Sequence, residues 1–352
     1  MSSAIHPHSA PDAGTLRAFH CVVGHRLPLQ LLTAAISRRT LPPAYLFVGT
    51  PGIGKSIVAR CFSSAVLIPN SEHLATDRSP RQSPELKNHP DLLWVEPTYR
   101  NRGILIPVSK VRREGESFPS SPQIRLEQVK AISQFLARSP LQSPRFIVVI
   151  EGAERMNAVA ANALLKTLEE PGNATLILLA PTVESLLPTI VSRCQLLRFH
   201  PLRAGELQAV LERAGHGDIG VEIRAAARGS AGRAIALHEL TRSLPDGLLP
   251  ELLQPPSRPS RALEVAKTAS LLAFETQLQL ADYLCDLVWQ QALDAERVRI
   301  WARARDILSR KVQPRLVWEV ALIQLLSNST TLAPSPAPAL QQLAPKLVIG
   351  NW

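Results

Sequence analysis

"AYLFVGTPGIGKS", Ala44 to Ser56, decides the fold. Five apolar or aromatic residues lead into Gly49-Thr50-Pro51-Gly52-Ile53-Gly54-Lys55-Ser56, and an amphipathic stretch follows. This is G-x-x-x-x-G-K-[ST] in the context the motif needs, a strand before it and a helix after it. The glycines let backbone N–H groups close around phosphate oxygens, and the helix N-terminus adds its positive dipole end. Lys55 supplies a point charge to the β- and γ-oxygens, and Ser56 carries a hydroxyl that can ligate Mg²⁺. The stretch predicts ATP and Mg²⁺ bound at a strand–helix junction.

Working outward, "AYLFVG", "LLWVEP", "RFIVVI" and "TLILLA" are near-continuous apolar runs alternating with helical patterns. Such runs suit a parallel sheet covered on both faces. The run Phe146–Ile150 ends in Glu151-Gly152. In phosphate-loop ATPases an Asp here holds Mg²⁺ and a following Glu orients the attacking water. Glu151 keeps a carboxylate on a longer stem, and Gly152 can do nothing to water. Glu154 reads equally as an acid favoured near a helix start. Binding is expected to survive and hydrolysis to be poor.

Next comes "NAVAANALLKTLEEPG", in which Ala161, Leu164, Leu165 and Leu168 share one helical face and Pro171-Gly172 stops the helix. Then "LILLAPTVESLLPTIVSRCQLLRF" gives a strand, a polar turn, a short helix and Ser192-Arg193-Cys194 before another strand. Arg193 sits at an element end. It reads either as a surface ion pair or as a guanidinium that reaches a neighbouring subunit's γ-phosphate, an effect worth roughly 10³–10⁵ in rate.

The 352 residues suffice for two or three domains; 45% are hydrophobic and 19% charged, a globular composition. The net charge of +10 favours acidic partners, nucleic acid above all. The four cysteines, Cys21, Cys61, Cys194 and Cys285, form no C-x-x-C pair, which predicts no zinc and no disulfide framework and fits a reducing cytoplasm. "MSSAIHPHSAPDAG" lacks the apolar core of a secretory signal, and no apolar run is long enough to span a membrane.

Boundaries follow composition. Residues 1–16 read as a polar tail, 17–200 as the nucleotide-binding domain and 201–245 as a helical domain. A proline-rich linker at 246–260, a second helical domain at 261–330 and a Pro/Ala-rich tail at 331–352 complete the chain. Residues 66–88 and 109–123 lack periodicity and read as surface insertions. The basic stretch Arg100 to Arg113 could approach a phosphate backbone, but charge runs are usually solvated. No internal repeat is found.

"VVGHRLPLQLLTAAI", "AYLFVGTPGIGKS", "HPDLLWVEP", "ANALLKTLEEPG" and "LLPTIVSRCQ" together resemble the bacterial clamp-loader branch of the AAA+ ATPases. The likeness is dense from about 20 to 200 and thins beyond, where "QPRLVWEVALIQLL" (Gln313–Leu326) resembles a collar helix. It implies an α/β AAA+ base with a parallel sheet, a helical lid and an all-α C-terminal collar. It also implies that Val23 and Gly24 lie near adenine, that Arg193 is an arginine finger acting in trans, and that Arg233 of "GSAGRA" is the lid's sensor arginine. The small sensor residue is either Pro181 or Thr182. Relatives often carry a four-cysteine zinc module after the phosphate-loop helix; only Cys61 stands there, and His89 reads as a turn residue. The implied partners are gamma/tau and delta subunits, a sliding clamp and primed DNA, with no membrane.

A ring of this kind needs a stator that seldom fires its own site. A gamma/tau-type motor should keep Asp-Glu at 151–152 and the zinc cysteines. A P-loop phosphotransferase should lack the "SRC" element and the collar. A branch-migration motor needs an intact acidic strand and a winged DNA-binding domain.

Overall fold

The apolar runs pair as a five-stranded, all-parallel sheet in the order β2-β5-β6-β1-β7. The strands are β1 (Ala44–Val48), β2 (Leu92–Val95), β5 (Phe146–Glu151), β6 (Ala174–Ala180) and β7 (Gln195–Arg198). The computed structural model describes residues 19–68, 86, 88–114, 118, 121–254, 257–292, 294–310 and 312–331. The tail read at 1–16, the tail read at 331–352 except Thr331, and most of the insertion at 66–88 lie outside the described residues.

Strand side chains alternate between two cores. Leu46, Val148, Ile150, Leu176 and Leu178 point to the face covered by α4 (Leu126–Leu136) and α5 (Ala158–Glu169). Tyr45, Phe47, Ile147, Val149, Ile177 and Leu179 meet Leu32 of α1 (Arg26–Ser37) and Phe62 of α2 (Lys55–Leu67) on the other. Both faces are covered, so the period-2 signal is masked and the strands read as solid apolar runs. The Asn157 side chain caps α5 by accepting from the Ala160 N–H at 2.8 Å.

Thr98–Pro107 forms an antiparallel hairpin of β3 (Thr98–Asn101) and β4 (Ile104–Pro107), followed by α3 (Val108–Glu114). The sequence reading of an aperiodic insertion from 109 is corrected here. Two turns of helix are too short to show a period, but Val111 is buried and the Ser109 N–H donates to Glu96 at 3.1 Å. Arg100 is paired with Glu127 at 2.6 Å.

After α6 (Pro188–Val191) and β7, the helices α7 (Ala204–Arg213), α8 (Val221–Ala226) and the start of α9 (Ala231–Ser243) enclose a small core of Leu202, Leu207, Leu211, Ile219 and Ala234. The chain divides into two units between Ala236 and Leu237, within α9. The second unit is helical: α10 (Leu248–Leu253), α11 (Pro259–Ser270), α12 (Phe274–Ala292), α13 (Ala295–Ser309) and α14 (Pro314–Thr331). The proline-rich stretch read as a linker therefore carries α10, whose Leu248 and Leu252 are buried with Trp301 and Trp318. The Trp318 indole N–H donates to Gln277 at 2.8 Å, so a buried polar pair is satisfied.

Candidate nucleotide-binding site

Gly49–Ser56 lies at the carboxyl end of β1, where parallel sheets bind ligands. Gly49 packs so tightly that an added Cβ would meet the Phe199 carbonyl oxygen at 2.6 Å. Gly52 (φ +77°) and Gly54 (φ +114°) take left-handed backbone that other residues rarely adopt, turning the loop into α2. Thr50 and Pro51 are exposed, whereas Ile53 is buried and anchors the loop.

Lys55 is buried, and its ammonium donates to the carbonyls of Gly49 and Thr50. Burial lowers its pKa to about 8, opposed by the nearby carboxylates of Glu154 and Glu151. The Ser56 hydroxyl donates to Glu151 Oε1 at 2.8 Å. Thus the loop presents glycine backbone, one cation and a hydroxyl–carboxylate pair, a donor set that fits a nucleotide's phosphates and a Mg²⁺ ion.

Three groups of contacts about this loop were not legible in the sequence. The Trp94 indole N–H donates to Glu151 Oε2 at 3.0 Å, and the Arg60 guanidinium lies 4.0 Å over the Trp94 ring. His25 Nε2 pairs with the Ile53 carbonyl at 3.0 Å, its ring edge-on to Phe199. The Ser230 hydroxyl donates to the Pro51 carbonyl at 2.8 Å, and the Gly232 N–H to the Gly52 carbonyl at 2.9 Å. The last pair brings Arg233 to the loop, since its backbone N–H also donates to Ser230 at 3.2 Å. A histidine right after Val23-Gly24 was the one visible hint.

Val23 and Gly24 are half-buried. Gly24 (φ +77°) lies against Leu202 and Glu206, so the start of the chain's nucleotide domain and the first lid helix meet there. Gly152 also takes a left-handed backbone (φ +66°), and a Cβ on it would meet Pro97 at 2.9 Å. Glu154 Oε2 is buried with no hydrogen-bond partner among the described residues.

Arg193 reaches the C-terminal end of α5. It donates to Glu169 at 2.6 Å and to the Thr189 carbonyl at 3.0 Å. Pro181 directly follows β6, whose Ala180 pairs with Val48 beside the loop; the Thr182 carbonyl accepts from Ser185 at 2.7 Å in an exposed turn. His89 Nδ1 accepts from the Asp91 N–H at 3.1 Å, within a turn. Among the described residues no cluster of three or more His, Cys, Asp or Glu is arranged to hold a metal. No helix among them is long and apolar enough to cross a membrane.

Residues 24–203, just over half of the chain, match the family model described as DNA polymerase III, delta subunit. The chain belongs to this family. Residues 205–325 match a second model, the C-terminal domain of cyanobacterial DNA polymerase III delta prime. The chain is 33% identical to DNA polymerase III subunit delta' of Bacillus subtilis over 50% of its own length and 47% of that protein. It is 34% identical to the same subunit of Pseudomonas aeruginosa over 43% of its length and 41% of that protein. Against DNA polymerase III subunit tau of Bacillus subtilis the identity is 28%, over 51% of this chain and 29% of that protein. The chain thus spans less than half the length of each of these relatives. The matched residues 24–203 include the phosphate loop, Glu151 and Arg193 of this chain.

Proposed function

We propose that the chain is a stator of the delta-prime kind in a DNA polymerase III clamp loader. It binds ATP and Mg²⁺ without effective turnover and lends Arg193 to a neighbouring motor. Its partners would be gamma/tau and delta subunits in the cytoplasm, acting with a sliding clamp on primed DNA.

Gly152 carries the reading. The carboxylate that orients water would have to stand here, but the backbone is left-handed and faces Pro97. The engine is therefore not one substitution from repair. The cradle is kept: Lys55 and the loop backbone would hold the phosphates, and Ser56 with Glu151 would hold Mg²⁺. Bound Mg²⁺ would neutralise charge between the phosphate oxygens. His25 and Ser230 fix the loop's carbonyls so that its N–H groups stay turned to the ligand. The delta' relatives being more similar than tau supports the stator over the motor.

Arg193 is held by an exposed ion pair with Glu169. Such pairs contribute only about 0.2–1 kcal/mol. Releasing the guanidinium to a neighbour's phosphate is thus cheap, and Glu169 keeps it oriented until then.

The test is a reconstituted loader with only the adjoining motor site competent. Arg193→Ala should leave this chain folded and binding ATP, yet cut turnover at that neighbour by about 10³-fold or more. Lys at 193 should rescue poorly, since an ammonium lacks the planar fork. The isolated chain should bind ATP·Mg²⁺, lose binding in Lys55→Ala and show negligible turnover. Brisk turnover by the pure chain, or a wild-type rate in the Arg193 variant complex, would overturn the proposal.

A further inference from the structure

All four cysteines are free thiols, but two of them stand together. Cys21 and Cys61 are 40 residues apart in sequence, and their Sγ atoms are 3.5 Å apart, joined by a hydrogen bond. Cys61 is buried on α2, the phosphate-loop helix. Cys21 is only half-buried, in the turn that leads to Val23 and Gly24. Neither sulfur takes part in the nucleotide site described above.

We propose that Cys21 and Cys61 form a modification site, a dithiol that a peroxide converts reversibly into a disulfide bridging the first turn to the phosphate-loop helix. A disulfide is about 2 Å long, so the sulfurs need to close by roughly 1.5 Å.

The two thiols are unequal. The hydrogen bond from Cys61 favours the Cys21 thiolate, against the opposing effect of burial; His20 and Arg213 add positive potential, and the pKa falls to about 7. The same bond and burial push Cys61 up, so it remains the protonated partner. Burial pushes Cys194 up to about 12, and burial with Asp282 and Asp286 pushes Cys285 up to about 11, so both stay unreactive thiols.

The chemistry follows from that asymmetry. The Cys21 thiolate attacks one peroxide oxygen; the O–O bond breaks, hydroxide leaves and Cys21 becomes a sulfenic acid. Cys61 sulfur then attacks Cys21 sulfur; the S–O bond breaks, and the departing hydroxide takes the Cys61 proton as water. Two thiols and one hydrogen peroxide give one disulfide and two waters. A thiol reductant reverses the change. In a reducing compartment the pair rests as a dithiol and records an oxidative excursion.

The bridge would tie the turn bearing Gly24 and His25 to α2. His25 already holds the Ile53 carbonyl, so the C-terminal half of the phosphate loop and the helix that follows it would both be braced to the same turn. Closing a loop across the unfolded chain also raises stability.

The test uses the full chain with hydrogen peroxide at a few equivalents. Titratable thiols should drop from four to two. Peptide mapping should find Cys21 linked to Cys61, and Tm should rise by several degrees and return with dithiothreitol. In Cys61→Ser, which keeps a hydroxyl to donate to Cys21 but has no sulfur to resolve it, Cys21 should stop at a sulfenic acid that dimedone traps, with no linked peptide. Cys194→Ala and Cys285→Ala should oxidise as wild type does. Four thiols remaining after peroxide, a bridge between other cysteines, or only intermolecular dimers would each overturn the proposal. Mapping on the wild-type chain decides the matter even if a variant fails to fold.

Discussion

Lys55 is a cation placed where water is scarce, and its chemistry sets the pH range of the site. Burial lowers its pKa to about 8 in the free protein, from an ordinary 10.5. Phosphate binding needs the ammonium, so ATP affinity should hold below pH 8 and weaken about tenfold per unit above it. Isothermal titration from pH 7 to 9.5 checks this, with Lys55→Arg as control, because a guanidinium stays charged. A flat profile would mean that the loop carbonyls keep Lys55 charged. The linkage runs the other way for folding. The unfolded chain binds the proton more tightly, so this residue's contribution to stability rises from pH 8 towards 10.5. Gly152 gives a second prediction. Restoring a carboxylate with Gly152→Glu should not restore hydrolysis; it should destabilise the chain by about 1–3 kcal/mol, through a left-handed Glu and a clash with Pro97. Denaturant unfolding and steady-state ATPase assays read both. Glycine there was legible as a lost catalytic group; its backbone role was not, because nothing in the sequence puts Pro97 beside it.

At the scale of elements, β2 and β5 are held at their entrance by Asp91. Its buried carboxylate accepts from the N–H groups of Leu141, Gln142 and Ser143 at 2.7–2.8 Å, and from the Ser143 hydroxyl at 2.8 Å. Burial raises its pKa, but these donors outweigh it and the pKa ends below its usual value. Its stabilising effect is therefore full above the unfolded value, about 4, and is lost as pH falls through the folded one. Asp91→Asn keeps the shape but replaces one accepting oxygen with an NH2 donor that faces other donors, and should cost about 2–4 kcal/mol at pH 7, with the gap to wild type narrowing near pH 3. Thermal unfolding at both values tests it; an unchanged gap would reassign the loss to packing. What the sequence made legible at this scale were the strands and their loop, whose signals lie within about ten residues. What it hid were joints between distant elements: Trp94 to Glu151 spans 57 residues and Ser230 to Pro51 spans 179. The β3–β4 hairpin and α3 escaped for another reason: unlike β2, whose four residues form an apolar run, β3 reads Thr-Tyr-Arg-Asn and the seven residues of α3 are too few to show a helical period.

At the scale of the whole molecule, the second unit is a helical body with one side unfinished. In α14, Val317, Trp318, Ala321, Leu322 and Leu325 are buried in its own core. Leu316, Val320 and Ile323 are 52%, 44% and 45% exposed, at spacings that put them on one face. Val317 and Leu326 pack inward instead, because α11 and α13 claim the neighbouring face. Ile307 and Val312 extend the exposed strip into a shallow apolar groove beside α13. Under the proposed function this strip is where collar helices of other loader subunits pack. Val320→Asp with Ile323→Asp should cost the free chain under about 1 kcal/mol, because neither residue fills its core. The same pair should cost assembly at least 100-fold in affinity, because each charge would be stranded in an apolar contact. Native mass spectrometry of the chain with its loader partners, beside thermal unfolding of the chain alone, separates the two effects. A cut at 261 is a poorer probe, because α10 would lose the core that covers Leu248 and Leu252; a cut after Ser243 removes that helix with its partners. If the doubly charged chain assembles normally, the stripe is ordinary surface and the collar contact must be sought on another helix.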